Sequence, residues 1–115
     1  YSDSSTGQVS VNWADATGFD EKLEKIITQK WIALYPNGME AWAEFRRTGF
    51  PKLFPINENS NDPSIDKNKQ IRRVIFPKSE YANNAGAVNA ATRLLGGPDS
   101  GGTRLWWDTG NNRLD

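Results

Sequence analysis

The sequence of residues 23–51 is LEKIITQKWIALYPNGMEAWAEFRRTGFP. Over residues 19–35, apolar residues recur at the spacing of one face of an α-helix: Phe19, Leu23, Ile26, Ile27, Trp31, Leu34 and Tyr35. Pro36 ends this pattern because the residue before a proline avoids the helical region, and Asn37-Gly38 supplies a turn. The stretch therefore begins with an amphipathic helix that stops at a tight connection.

A second helix is predicted from about Met39 to Thr48, directly after the turn. Its apolar side contains Met39, Trp42, Ala43 and Phe45, and Arg46 continues the stripe. Gly49 suits the position after a helix C-terminus, and Pro51 follows as it commonly does there. A connection of two or three residues makes the two helices neighbours, so we predict a helical hairpin.

Outside the hairpin, the sequence pattern predicts less regular structure. Residues 8–13 alternate between polar and apolar, which fits a short strand and an extended arm equally well. Residues 55–70 form a long polar loop, and residues 71–77 are β-prone and extended. A third helix over residues 84–95, capped by Ser79 or Asn83, is expected to pack on the hairpin with this face: Ala87, Val88, Ala91, Leu94 and Leu95. The predicted fold is mainly α, a helical hairpin plus a third helix with long coil segments.

Composition excludes several kinds of function. The 115 residues contain no histidine and no cysteine, so a Ser-His-Asp triad, thiol chemistry and a His- or Cys-based zinc site are ruled out within this chain. Fourteen acidic residues balance fourteen basic ones, which gives no positive field for nucleic acid. We expect no cofactor and no metal, and any enzymatic activity would have to rest on carboxylates, lysine or tyrosine with strongly shifted pKa values.

The polar loop contains the one pattern that resembles a metal site. Asn57, Asn59 and Asn61 have the alternating spacing of a calcium-binding loop. The sixth position, however, is Asp62 where glycine belongs, and the twelfth is Asn68 where a bidentate glutamate belongs. A solvated surface loop is therefore the favoured interpretation.

Two arginine pairs, Arg46-Arg47 and Arg72-Arg73, could grip an anion through their guanidinium groups. Structural roles are favoured, because an arginine close to an apolar stripe is usually paired with a carboxylate or a backbone carbonyl. The fourteen acids also leave open a carboxylate pair for glycoside hydrolysis, since the required separation is spatial and the sequence does not reveal it.

Trp106 and Trp107 are the candidate ligand-binding residues. Sugar rings present apolar C–H faces that stack on aromatic rings. In an extended segment adjacent side chains point in opposite directions, so one tryptophan at most would face a ligand. The alternative, with both rings packed as anchors of the tail, is favoured.

Three blocks of the sequence resemble one protein family. Residues 27–51 are similar to the C-terminal region of SusD/RagB-like outer-membrane nutrient-binding lipoproteins. Residues 72–84 (RRVIFPKSEYANN) and 95–108 (LGGPDSGGTRLWWD) resemble the blocks that follow in that family, in the same order. Together the blocks cover most of residues 20–108.

The resemblance implies a mostly helical cell-surface lipoprotein of a Gram-negative nutrient-uptake system. Such proteins bind glycans or other nutrients, act as a lid on a SusC-type TonB-dependent transporter, and are not enzymes. Family members are several times longer, so residues 1–115 are expected to be a C-terminal segment whose partners include the rest of its own chain. The lipid-bearing cysteine and tetratricopeptide-like helices would lie upstream, as the start at Tyr1 and the single methionine, Met39, also suggest.

No residue of this chain can be matched to the aromatic ligand arc of the starch-binding members. Two other functions therefore stay open beside glycan binding. One is a purely structural module without a ligand site of its own, and the other is a carboxylate-based accessory domain of a glycoside hydrolase.

Overall fold

The structure is a computed structural model that describes residues 9–56 and 62–109. Its α-helices are α1 (Phe19–Ala33), α2 (Gly38–Thr48), α3 (Lys78–Asn83) and α4 (Ala85–Leu94). No β-strand occurs within these described ranges. The predicted mainly α fold with long coil segments is confirmed.

The chain divides into two compact units. Among the described residues, those up to Phe54 form the first unit and Pro55–Thr109 form the second. The first unit contains α1 and α2, and the second contains α3 and α4. The predicted packing of the third helix on the hairpin would join the two units and stays a prediction.

Helices α1 and α2 pack together as the predicted hairpin. The carboxylate of Glu21 accepts hydrogen bonds from the backbone N–H and hydroxyl of Thr17 and from the N–H of Gly18, which closes the start of α1. These bonds also lower the pKa of Glu21. On the inner face of α1, Ile27 and Thr28 are buried. Phe19 and Tyr35, at the ends of the predicted apolar face, are 78% and 88% exposed.

Helix α2 begins where the side chain of Asn37 accepts the N–H of Glu40. Phe45 is buried as predicted, but the residues buried beside it are Ala41 and Thr48, whereas Met39, predicted on the apolar side, is 69% exposed. Spacings of four and then three residues keep the buried set on one side of the helix, and Met39 lies off that side. Arg46 is buried as predicted and lies over the ring of Trp42 with its guanidinium carbon 3.6 Å from the ring centre.

Gly49 ends α2 in the left-handed conformation, with φ at 75°. A side chain is strained there, so Gly49→Ala is expected to lower the free energy of unfolding by about 1 kcal/mol. Gly38, in the first turn of the same helix, has φ outside that region and open space around it. Gly38→Ala should therefore be neutral or stabilising. Urea unfolding of both variants tests this, and equal losses would contradict it.

The segment before α1 is not a strand over its described residues, 9–13, so the strand interpretation is wrong there. Trp13–Asp15 form a single 3-10 turn instead. The side chain of Asn12 accepts the N–H of Ala14 and donates to Asp15, while Ser10 also donates to Asp15. These local bonds satisfy the backbone at the turn without a neighbouring strand.

The predicted third helix is preceded by a short extra one, since α3 and α4 are separated by Asn84. Val88 is buried and Leu95 is partly buried, whereas Leu94, predicted on the same face, is 88% exposed. Seven residues separate Val88 from Leu95, which returns to the same side of a helix, and six residues do not. None of the described helices has the length and hydrophobicity needed to cross a membrane.

Candidate ligand-binding site

The predicted site residues lie in the second unit, on a tail (residues 99–109) that residues 71–77 hold in place. Residues 71–77 form neither a helix nor a paired strand. The backbone N–H groups of Arg72 and Arg73 both donate to the carbonyl oxygen of Gly101, at 2.8 and 3.3 Å. The two arginines therefore start side by side against the tail.

The side chain of Arg72 reaches the end of this tail. Its Nε donates to Oδ2 of Asp108 at 2.7 Å and a second guanidinium nitrogen donates to Oδ1. The side chains of Arg72 and Asp108 are 2% and 0% exposed. Arg104 donates to the same Oδ1 at 2.8 Å, and Arg72 also donates to the carbonyl oxygen of Lys69. Asp108 is thus fixed by two guanidinium groups, one of them bidentate.

Arg73 makes a second ion pair with Asp99, and both side chains are 5% exposed. The N–H of Phe76 and the hydroxyl of Tyr81 also donate to the Asp99 carboxylate. Burial raises the pKa of Asp99, but the hydrogen bonds from Tyr81, Arg73 and Phe76 outweigh it and hold this pKa below its ordinary value. The interpretation of Arg72 and Arg73 as structural residues agrees with these contacts.

Trp106 and Trp107 occupy the corner of a turn. The N–H of Asp108 donates to the carbonyl oxygen of Leu105 at 2.9 Å, which closes a turn of residues 105–108. We expected an extended segment here, and the turn corrects that expectation. Trp106 is 90% exposed and Trp107 is partly buried. Within the described part of the chain the ring of Trp106 is not packed, and the assignment of Trp106 and Trp107 to a ligand site stays a prediction.

A neighbouring loop closes on the tail through two glycines. Asp62 accepts the N–H of Gly101 at 2.7 Å, and the hydroxyl of Ser64 accepts the N–H of Gly102 at 3.1 Å. A Cβ atom added to Gly102 would overlap the backbone carbonyl of Ser64. The close approach of the two backbones therefore requires glycine at position 102.

The sequence matches the model of one protein family over residues 1–108. That family is described as SusD-like, the SusD and RagB outer membrane lipoproteins.

The chain belongs to the SusD-like family.

Solved structures of SusD homologues superpose on this chain. A chitin-binding SusD homologue from Flavobacterium johnsoniae is 50% identical, with a TM-score of 0.84 over 90% of this chain and 21% of its own. A SusD homologue from Bacteroides vulgatus is 52% identical, with a TM-score of 0.82 over 89% of this chain and 20% of its own. One from Bacteroides uniformis is 45% identical, with a TM-score of 0.80 over 87% and 21%. No curated protein matches the chain.

These comparisons confirm the resemblance that the three sequence blocks carried. The chain spans about a fifth of the length of the SusD homologues that it matches. Membership in a family of outer membrane lipoproteins also confirms the outer-membrane location that the resemblance implied.

The calcium-like spacing of the polar loop lies only partly within the described residues. Asn57, Asn59 and Asn61 lie outside the described residues. Hydrogen bonds from the hydroxyl of Ser64 and from the N–H groups of Gly101 and Ser64 lower the pKa of the Asp62 carboxyl group. Asn68 donates its N–H to Asp66. Within residues 9–56 and 62–109, no three acidic side chains gather as metal ligands would.

Sequence reasoning missed the carboxylates that complete the site. Asp99 and Asp108 lie 26 and 36 residues from their arginines. Both lie in the block of residues 95–108 that resembles the family, yet charge alone did not separate them from the other acids. Two adjacent arginines in an apolar segment were the available signal, because a buried arginine requires a buried carboxylate nearby.

The lowered pKa of Asp99 predicts an acid-dependent loss of stability. A carboxylate whose folded pKa is depressed contributes stability that is present above its ordinary pKa of about 4 and is lost as the pH falls through the folded value. The second unit should therefore lose stability below about pH 4. In Asp99→Asn this loss should shrink, measured as the difference in urea unfolding between neutral pH and about pH 3. An identical acid-dependent loss in wild type and variant would contradict the role of Asp99.

Proposed function

We propose that this chain is the C-terminal segment of a longer cell-surface lipoprotein that binds glycan and passes it to a SusC-type TonB-dependent transporter. Residues 1–115 would form one part of that protein, with the lipid anchor upstream. Its role would be binding and not catalysis. The ligand would be an oligosaccharide or polysaccharide, with no cofactor and no nucleic acid involved.

Two observations support a segment of a larger protein. The chain spans about a fifth of the SusD homologues that it matches. In addition, large apolar side chains are more than three-quarters exposed in each unit, among them Phe19, Tyr35 and Leu94. Exposed apolar surface of this kind usually marks contact with another protein surface or with a ligand. Because the homologues are about five times longer, we assign this contact to the remainder of the full-length protein.

The ring of Trp106 is the observation that carries the proposal of glycan binding. It is 90% exposed at the corner of a turn whose last residue, Asp108, is buried in two ion pairs. An exposed indole on a fixed backbone offers a flat apolar face to the C–H face of a sugar ring. Trp107 is partly buried beside it, so we assign Trp106 the stacking contact and Trp107 a supporting one.

The choice of a first ligand follows from the relatives. The homologue from Flavobacterium johnsoniae is described as chitin-binding and shares half of its residues with this chain over the matched region. Chitohexaose is therefore the first probe. The buried carboxylates Asp99 and Asp108 are both held by arginine, which favours structural roles over the paired carboxylates of a glycoside hydrolase.

Replacing Trp106 with alanine in the full-length protein should weaken chitohexaose binding about tenfold or more, because truncating a central aromatic contact typically costs over 1 kcal/mol. Isothermal titration calorimetry measures this directly. Trp106→Tyr keeps an aromatic face and should lose much less affinity for chitohexaose.

Trp13→Ala is the matched control. Trp13 is another exposed tryptophan, at 51%, but it lies in the first unit, with Lys22 over its ring. Its replacement should leave the affinity unchanged. Equal affinity in wild type and a folded Trp106→Ala variant would remove Trp106 from the site and favour the purely structural module.

The transporter is tested separately. Co-purification of the tagged full-length protein from outer membranes should recover a TonB-dependent transporter. Recovery of the lipoprotein alone, under conditions that preserve such complexes, would contradict delivery to that partner while leaving glycan binding to be judged by calorimetry.

A further inference from the structure

The geometry points to Arg72 as the residue that positions Trp106 for ligand, acting through Asp108. This inference rests on the proposed function, because it takes Trp106 as the stacking surface. Arg72 does not touch the sugar in this proposal. It is a positioning residue, buried in the segment of residues 71–77, whereas the ring that it positions is exposed on the tail.

A continuous series of contacts links Arg72 to the turn that contains Trp106. Arg72 holds both carboxylate oxygens of Asp108, and the backbone N–H of Asp108 closes the turn onto Leu105. Trp106 lies between those two turn residues. A shift of the Asp108 backbone therefore changes the direction in which the indole points.

Arg72 also fixes the other end of the tail. Its N–H donates to the carbonyl oxygen of Gly101, and its guanidinium group donates to that of Lys69. Arg72 thus joins the segment of residues 71–77 to the tail both before and after residues 103–107. A ring held in its binding orientation loses less conformational freedom when ligand arrives, which raises affinity.

Arg73 provides the internal comparison. It is the next residue, it is equally buried, and it also pairs with a buried aspartate. Its partner, Asp99, lies seven residues before Trp106 and outside the turn of residues 105–108. Disturbing Arg73 should therefore cost stability without redirecting the indole.

The test compares Arg72→Lys with Arg73→Lys in the full-length protein labelled with fluorotryptophan. Lysine keeps the charge but cannot form the bidentate pair with a carboxylate. We expect Arg72→Lys to weaken chitohexaose binding about 2- to 10-fold and to shift or broaden the fluorine signal of Trp106. That signal is assigned by its loss in Trp106→Phe. Arg73→Lys should leave both the affinity and the Trp106 signal close to wild type.

Arg104→Gln is the second variant in case Arg72→Lys does not fold. Arg104 is 25% exposed and donates to Asp108 from the tail itself, so its loss leaves the Arg72 pair in place. A smaller weakening, with a shifted Trp106 signal, is expected. An unchanged signal and affinity in both the Arg104 variant and any folded Arg72 variant would overturn the inference.

The outcomes separate this inference from the proposal on which it rests. If Trp106→Ala weakens binding but Arg72→Lys behaves like Arg73→Lys, only the positioning role fails. If Trp106→Ala leaves binding unchanged, the assignment of the site fails and the positioning role fails with it.

Discussion

Asp108→Asn is expected to lower the free energy of unfolding of the second unit by about 3–5 kcal/mol, because removing one partner of a buried ion pair leaves the other charge uncompensated. The stranded charge would be that of Arg72, whose side chain is 2% exposed. Asparagine has nearly the same shape as aspartate, so packing changes little. The loss in free energy of unfolding is measured by urea unfolding, monitored through hydrogen exchange in peptides from residues 62–109.

A double replacement separates the charge from the shape. Arg72→Met combined with Asp108→Leu removes both charges, and well-packed apolar replacements of buried pairs are often neutral or stabilising. The double variant should therefore be more stable than Asp108→Asn alone. If Asp108→Asn unfolds like wild type, the buried pair does not hold the tail.

Gly102→Ala is the second large effect, expected to destabilise the second unit by about 3 kcal/mol through overpacking. The added methyl group would overlap the carbonyl carbon and oxygen of Ser64. Backbone atoms cannot rotate away as a flexible side chain does, so the loop or the tail has to move. The hydrogen bonds of Asp62 and Ser64 to the two glycine N–H groups would be lost with that movement.

Gly86→Ala is the matched control for this change. Gly86 lies in α4 with open space around it, and an alanine there favours the helix by about 0.5–1 kcal/mol. Replacing glycine with alanine should thus raise the free energy of unfolding at position 86 and lower it at position 102. Equal effects at both positions would contradict the close backbone approach.

The hairpin was predictable because its information is local. Apolar spacing, a Pro-Asn-Gly connection and Gly49 at the end of α2 each act within a few residues. The errors within it concern Ile26, Met39 and the two ends of the predicted apolar face, Phe19 and Tyr35, which are all exposed. Periodicity identifies a helix, but it does not decide how much of an apolar face another element covers.

The candidate site was predictable only in part, because its contacts are distant in sequence. The sequence indicated Trp106 and Trp107 as candidate ligand-binding residues, but the turn that exposes Trp106 depends on Asp108. That aspartate is fixed by Arg72, 36 residues earlier. No local rule joins such residues, and the family resemblance supplied a function without supplying this geometry.

The fluorine signal of Trp106 during a chitohexaose titration of the labelled full-length protein tests glycan recognition most directly. It reports on the proposed contact residue itself, while the other four tryptophans of residues 1–115 serve as references in the same spectrum. We predict a saturable shift of the Trp106 signal with the same dissociation constant that calorimetry gives. A Trp106 signal that stays unchanged at saturating ligand would contradict the proposed site.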